Sequence, residues 1–122
     1  MGTATARLHK DEGNGTYECG IVLTKKLDED KKTINTLYKV TGFESISLTF
    51  TVILSGYLNI ENNVSIVTNY ESDYVSNIYI CDGLTPIKVI NIYDTHPTDP
   101  KDLVDATRYD ITPGCVLLPF VF

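Results

Sequence analysis

Residues 45–60 read Ser-Ile-Ser-Leu-Thr-Phe-Thr-Val-Ile-Leu-Ser-Gly-Tyr-Leu-Asn-Ile, and their alternation decides the fold class. Ile46, Leu48, Phe50, Val52, Leu54, Leu58 and Ile60 fall on even positions. Ser45, Ser47, Thr49, Thr51, Ser55 and Asn59 fall on odd ones, with Ile53 and Tyr57 as exceptions. A side chain directed to one face every second residue is the period of a β-strand buried on one side. At about 3.3 Å per residue such a strand spans most of a small sandwich, and Gly56 gives it a place to bend or bulge. The other strands are expected to be registered against it.

Upstream, residues 3–9 alternate weakly and read as an edge strand or an N-terminal arm within residues 1–12. Asn14-Gly15 suits the positive φ angles of a hairpin turn. Tyr17, Cys19, Ile21 and Leu23 alternate with Glu18, Gly20, Val22 and Thr24 to give the next strand. The charge run 28–32 reads as an exposed hairpin loop before a strand at 34–40, and Gly42 turns the chain into the central stretch. Downstream, Glu61-Asn62-Asn63 reads as a tight turn, with Val64, Ile66 and Thr68 returning. Residues 74–81 form another strand, and Asp82-Gly83 is a two-residue hairpin signal. Pro86 lies at the start of a strand over 87–93, where a missing N–H is tolerated. Asp99 and Pro100 look like the N-cap and first position of a short helix near residues 100–107. Thr112-Pro113-Gly114 turns into a last strand at 116–121. Seven or eight short strands with one late helical segment predict an all-β fold. The expectation is a single antiparallel β-sandwich or jelly-roll-like domain over residues 1–122.

The chain of 122 residues has the size of one domain and can bury a core without metals or staples. Cys19, Cys81 and Cys115 show no CxxC spacing, and reduced thiols are the default expectation. No apolar leader and no run long enough for a membrane helix is visible, so the expected location is the virion or the cytoplasm, without membrane partners. Net charge is −6 and unevenly spread. Residues 1–40 carry seven basic and six acidic groups, whereas residues 41–122 carry three basic and ten acidic ones. So acidic a surface repels phosphate backbones and argues against nucleic acid as a partner.

Catalytic chemistry leaves little trace. The two histidines, His9 and His96, accompany no nucleophile motif, phosphate loop or zinc signature. Asp94, His96, Asp99, Asp102 and Asp105 are the densest ligand-like cluster, but Asp, Thr and Pro are also what loops and caps use. No cofactor and no metal is expected. Tyr70, Tyr74, Tyr79, Tyr93 and Tyr109 crowd the second half, and exposed tyrosine with Asn and Asp marks protein-binding surfaces. The C-terminal run is apolar on both strand faces, so Val116, Leu118, Phe120 and Phe122 are expected at a subunit contact. These features point to a non-enzymatic structural or assembly protein. A small virion-associated component fits: a capsid-decorating, fibre or tail-associated protein that docks onto copies of itself, as a homo-oligomer, or onto a larger protein lattice. The alternative is a stand-alone β-sandwich module that binds a carbohydrate or a protein through its tyrosine-rich loops.

Overall fold

A computed structural model describes residues 1–10, 13, 15–43, 46–103 and 105–111. Among these residues seven strands follow one another: β1 (Gly2–His9), β2 (Thr16–Leu27), β3 (Thr33–Thr41), β4 (Thr49–Gly56), β5 (Ser65–Ser72), β6 (Val75–Cys81) and β7 (Lys88–Asn91). β1 to β4 form one antiparallel sheet in chain order, and β5 to β7 form a second. The all-β sandwich expected from the alternation is therefore the fold. The strand expected at 116–121 lies outside the described residues.

Alternation places the core between the sheets. Ala6 and Leu8 of β1, Cys19, Ile21 and Leu23 of β2, Leu37 of β3 and Leu54 of β4 meet Ile78 and Ile80 of β6 and Ile90 of β7. Each fully buried Leu or Ile contributes about 1.5–3 kcal/mol relative to exposure. Residues 3–9 are an ordinary strand, paired along their length with β2. β1 also lies beside β5 in parallel orientation. The Val64 N–H donates to the Met1 carbonyl at 3.2 Å, the Thr68 hydroxyl donates to Thr5 O, and Ser76 Oγ donates to Arg7 O at 2.8 Å. Gly2 permits this approach, since a Cβ there would stand 2.6 Å from Val64 Cγ2. On the opposite side, residues 92–103 bridge from β7 to β4. The Ser55 N–H donates to Pro97 O at 2.9 Å, and Leu103 packs so closely over Gly56 that a Cβ would collide with it.

The central stretch departs from its expected form. Of its described residues, Thr49–Gly56 form the strand. Leu37 pairs with Leu54 but Tyr38 pairs with Val52, which leaves Ile53 as the extra residue of a β-bulge. A one-residue slip inverts the faces. Leu54 thus points into the core, while Phe50 and Val52 share the outer face with Tyr38 and Val40. Ile46 and Leu48 precede the strand and are exposed. Leu58 and Ile60 are buried, as expected, but outside any strand.

The turn at Glu61-Asn62-Asn63 is likewise no hairpin; residues 57–64 cross from one sheet to the other. Buried Asn35 holds that crossover. Its Oδ1 accepts from the Ile60 N–H at 3.0 Å, and its Nδ2 donates to Ile60 O at 3.0 Å and Thr24 O at 3.3 Å. Asp82-Gly83 opens a longer connection rather than a two-residue hairpin. Asp82 Oδ1 takes the Leu84 and Thr85 N–H groups, each at 2.9 Å, and this favours a broad turn. The helix expected near 100–107 is instead two 3-10 turns, Pro100–Asp102 and Ala106–Tyr109. Asp99 caps the first as predicted, accepting from Lys101 N at 3.1 Å. Extended backbone at Leu103, needed to cover Gly56, prevents the two from merging. The hairpin loop at 28–32 forms as expected, with Asp28 Oδ1 accepting from Asp30 N and Lys32 N, both at 2.8 Å.

Candidate docking surfaces

Strand directions gather particular segments at one end of the sandwich. β1 ends where β2 begins, and β3 ends where β4 begins; β5 runs parallel to β1, so the β5–β6 turn and the end of β7 lie at that same pole. Tyr17, Phe43, Ile46, Leu48, Phe50 and Tyr74 are all exposed there. Ile46 is fully exposed, Tyr74 is 70% exposed and Phe43 59%. Val40, 3% exposed, lies beneath them and outside the main core. Gly20 makes room for this outer layer, since a Cβ there would press to 3.0 Å from Phe43 Cζ and 3.3 Å from Val40 Cβ. Tyr38 meets Phe50 edge to face at 6.1 Å. Beside Phe43 opens a cleft of about 760 Å³ lined by Arg7, Lys10, Tyr17, Glu18 and Thr41.

A second aromatic group borders the first. The His9 N–H donates to the Tyr93 hydroxyl at 2.9 Å, and the same hydroxyl is hydrogen-bonded to His9 Nδ1, also at 2.9 Å. Tyr74 stands edge to face with His9 at 4.8 Å and with Tyr93 at 6.0 Å. The Tyr70 hydroxyl donates to Asp73 Oδ1 at 2.8 Å, and this bond raises the tyrosine's own ionisation above its usual range. Of the tyrosines singled out from sequence, Tyr70, Tyr74 and Tyr93 are thus brought together. Tyr79 sits mid-strand on β6, half-buried, turned away from the buried Ile78 and Ile80. Tyr109 is in the core, where burial pushes its hydroxyl ionisation up. Val116, Leu118, Phe120 and Phe122 lie outside the described residues.

Sequence reasoning missed Phe43, Ile46, Leu48 and Phe50 as surface residues, assigning the last three to the core. One signal was available. Sixteen alternating residues exceed the usual strand length of about 3–10, so part of the run had to leave the sheet.

The ligand-like cluster around His96 is occupied with holding the bridge. His96 Nε2 faces the Asn91 carbonyl at 2.7 Å and must donate to it, so Nδ1 accepts from the Tyr109 hydroxyl at 3.0 Å. Among the described residues, no group of three His, Cys, Asp or Glu side chains is placed to hold a metal ion. No helix among them is long and apolar enough to cross a membrane. A buried ion pair, Lys88 Nζ to Asp110 Oδ1 at 2.6 Å, fastens the second 3-10 turn to β7.

A family model described as Crassvirus muzzle protein matches residues 15–118. No curated protein and no solved structure matches the chain.

Proposed function

Because the chain belongs to the Crassvirus muzzle protein family and is thereby a virion-associated structural protein, we propose that it works by protein–protein docking through the apolar pole of its sandwich. The observation that carries this reading is the concentration of Tyr17, Phe43, Ile46, Leu48, Phe50 and Tyr74 at one end, exposed and contiguous with a cleft. Large aromatic and aliphatic side chains at the centre with charged groups around them are the composition of interfaces. Monomeric surfaces rarely leave such groups together. Ile46, fully exposed, and Phe43, at the mouth of the cleft, serve as anchors. Arg7, Lys10 and Glu18 line the cleft and serve as its polar rim. The acidic balance of residues 41–122 disfavours nucleic acid and leaves protein as the partner.

The test is incorporation into particles. Phe43→Ser with Ile46→Ser, introduced together into the phage, is expected to leave the fold intact by circular dichroism and to reduce the protein in purified virions at least about tenfold by quantitative mass spectrometry. Full incorporation of the folded double variant overturns the reading.

Tyr74 favours the carbohydrate alternative in one respect: its exposed ring lies next to the carboxylate of Asp73 at the pole. A glycan array distinguishes the two readings. Saturable binding that Tyr74→Ala abolishes moves the assignment to a carbohydrate-binding module.

A further inference from the structure

We propose that the open edge of β4 pairs antiparallel, across a two-fold axis, with β4 of a second copy of this chain. The inference rests on the docking reading above and names one partner for it. Among the described residues, the two sheets have four edge strands: β1, β4, β5 and β7. β1 and β5 cover one another through the Met1–Val64 and Thr5–Thr68 hydrogen bonds. β7 is covered by the bridge from Lys88 to Asp110 and by the Ile111 N–H donating to Ile87 O at 2.8 Å. Among the described residues, β4 is covered at its end, by Pro97 at Ser55 and by Leu103 over Gly56. Among the described residues, no backbone hydrogen bond reaches Thr49, Phe50, Thr51 or Val52 from that outer side. The bridging segment stands off there: a cleft of about 240 Å³ separates Thr51 and Ile53 from Asp94, His96 and Thr98.

An open edge is a template for another strand, and proteins ordinarily blunt it with charges, proline or a bulge. Residues 45–60 contain no Lys, Arg, Asp, Glu or Pro. The one blunting device, the bulge at Ile53, sits at the far end of the open part. The edge also matches itself. Antiparallel pairing of a strand with its own copy about a central residue sets even positions opposite even and odd opposite odd. Centred on Phe50, it puts Leu48 opposite Val52 and Thr49 opposite Thr51, so apolar side chains meet apolar ones and hydroxyls meet hydroxyls. No like charges face each other, and Phe50 and Leu48, 56% and 51% exposed, become covered. A two-fold contact of this kind closes after two copies.

The experiment is sedimentation velocity of the full chain over a wide concentration range. The wild type is expected to form a dimer and nothing larger. That dimer should persist in about 1 M salt, because no ion pair holds it. Phe50→Lys and Thr51→Lys are each expected to weaken it about 100-fold, since each sets a cation beside its own copy in a desolvated seam. Val67→Lys, on the exposed face of β5, is expected to leave it unchanged. Should the lysine variants misfold, Phe50→Cys in a Cys81→Ser, Cys115→Ser background supplies a second readout: oxidation should join two copies through that residue. A monomer at every concentration, a trimer or larger ring, or a dimer indifferent to both lysines overturns the pairing. If the chain is monomeric while Phe43→Ser with Ile46→Ser still abolishes incorporation, the docking reading stands and the pairing alone falls.

Discussion

The two poles of the sandwich are built from the same meander and end in opposite surfaces. At one, the connections around residues 42–48 and 73–74 expose Phe43, Ile46, Leu48 and Tyr74. At the other, the hairpin at 28–32, the crossover at 57–64 and the connection at 82–87 carry Asp28, Asp30, Glu61 and Asp82, with polar groups paired among themselves. Asp28 binds two N–H groups of its own loop and accepts the Tyr57 hydroxyl at 2.9 Å. Lys25 pairs with Glu61 at 3.1 Å. The charged pole satisfies itself locally and fixes the fold's register. The apolar pole leaves large side chains exposed, and under the docking reading a partner covers them. Stability and recognition are therefore expected to separate by position.

Asn35→Ala is the largest test of that separation. It removes the acceptor and donor that hold Ile60 in the buried crossover and strands a buried N–H and C=O. A loss of about 2–4 kcal/mol in denaturant unfolding is expected, with docking by the surviving folded fraction unchanged. A comparable loss of docking in that fraction would show that the poles are coupled. Gly56→Ala comes next. Its methyl group collides with Leu103, and overpacking of this kind costs about 1–3 kcal/mol by the same measurement.

The apolar pole should behave in the opposite way. Phe43→Ser with Ile46→Ser is expected to change unfolding free energy by no more than about 0.5 kcal/mol per site while sharply reducing incorporation into particles. A large fall in stability would mean that these side chains serve the fold instead. A smaller effect concerns pH. The Lys32 N–H, followed by the Tyr57 hydroxyl and the Asp30 N–H, holds the Asp28 carboxyl below its usual range. A carboxylate depressed in the folded state stabilises above its unfolded value and loses that contribution as pH falls through the folded one. The melting temperature of wild type should therefore exceed that of Asp28→Ala at neutral pH. The gap should narrow as pH falls below about 4, as the Asp28 carboxylate of the wild type takes up its proton. A gap that is constant across that window removes the ionised carboxylate from the account. Leu84→Ser, at the charged pole and 75% exposed, is the smallest effect: neither unfolding nor incorporation should move. Loss of incorporation with Leu84→Ser would extend the docking surface to the wrong end.

Much of this was legible from residues alone. Period-two alternation in β2 and β6 set Ile21 with Leu23, and Ile78 with Ile80, on shared faces, because a strand gives no choice about which neighbours share a face. Asp99-Pro100 announced its cap, because capping is a local hydrogen bond. The aromatic site was legible only in part. Tyr70, Tyr74 and Tyr93 were identified by type, but His9 joined them only when β1 came alongside the end of β7. Tyr109, of the same type, went to the core.

The sequence by itself determined the all-β class, most strand positions, the acidic balance and the lack of a recognisable catalytic motif. Each of these depends on residue types and on spacing along the chain. Tertiary structure alone decided which side of the central stretch is covered. The bulge at Ile53 inverts the faces, so Leu54 and Phe50, four residues apart and identical in parity, end in the core and in solvent respectively. Alternation reports that two faces differ. Only the partners that arrive from elsewhere in the chain, Leu37 and the second sheet behind Leu54, determine which of those faces is buried, while Leu48 and Ile46 stay exposed among the described residues.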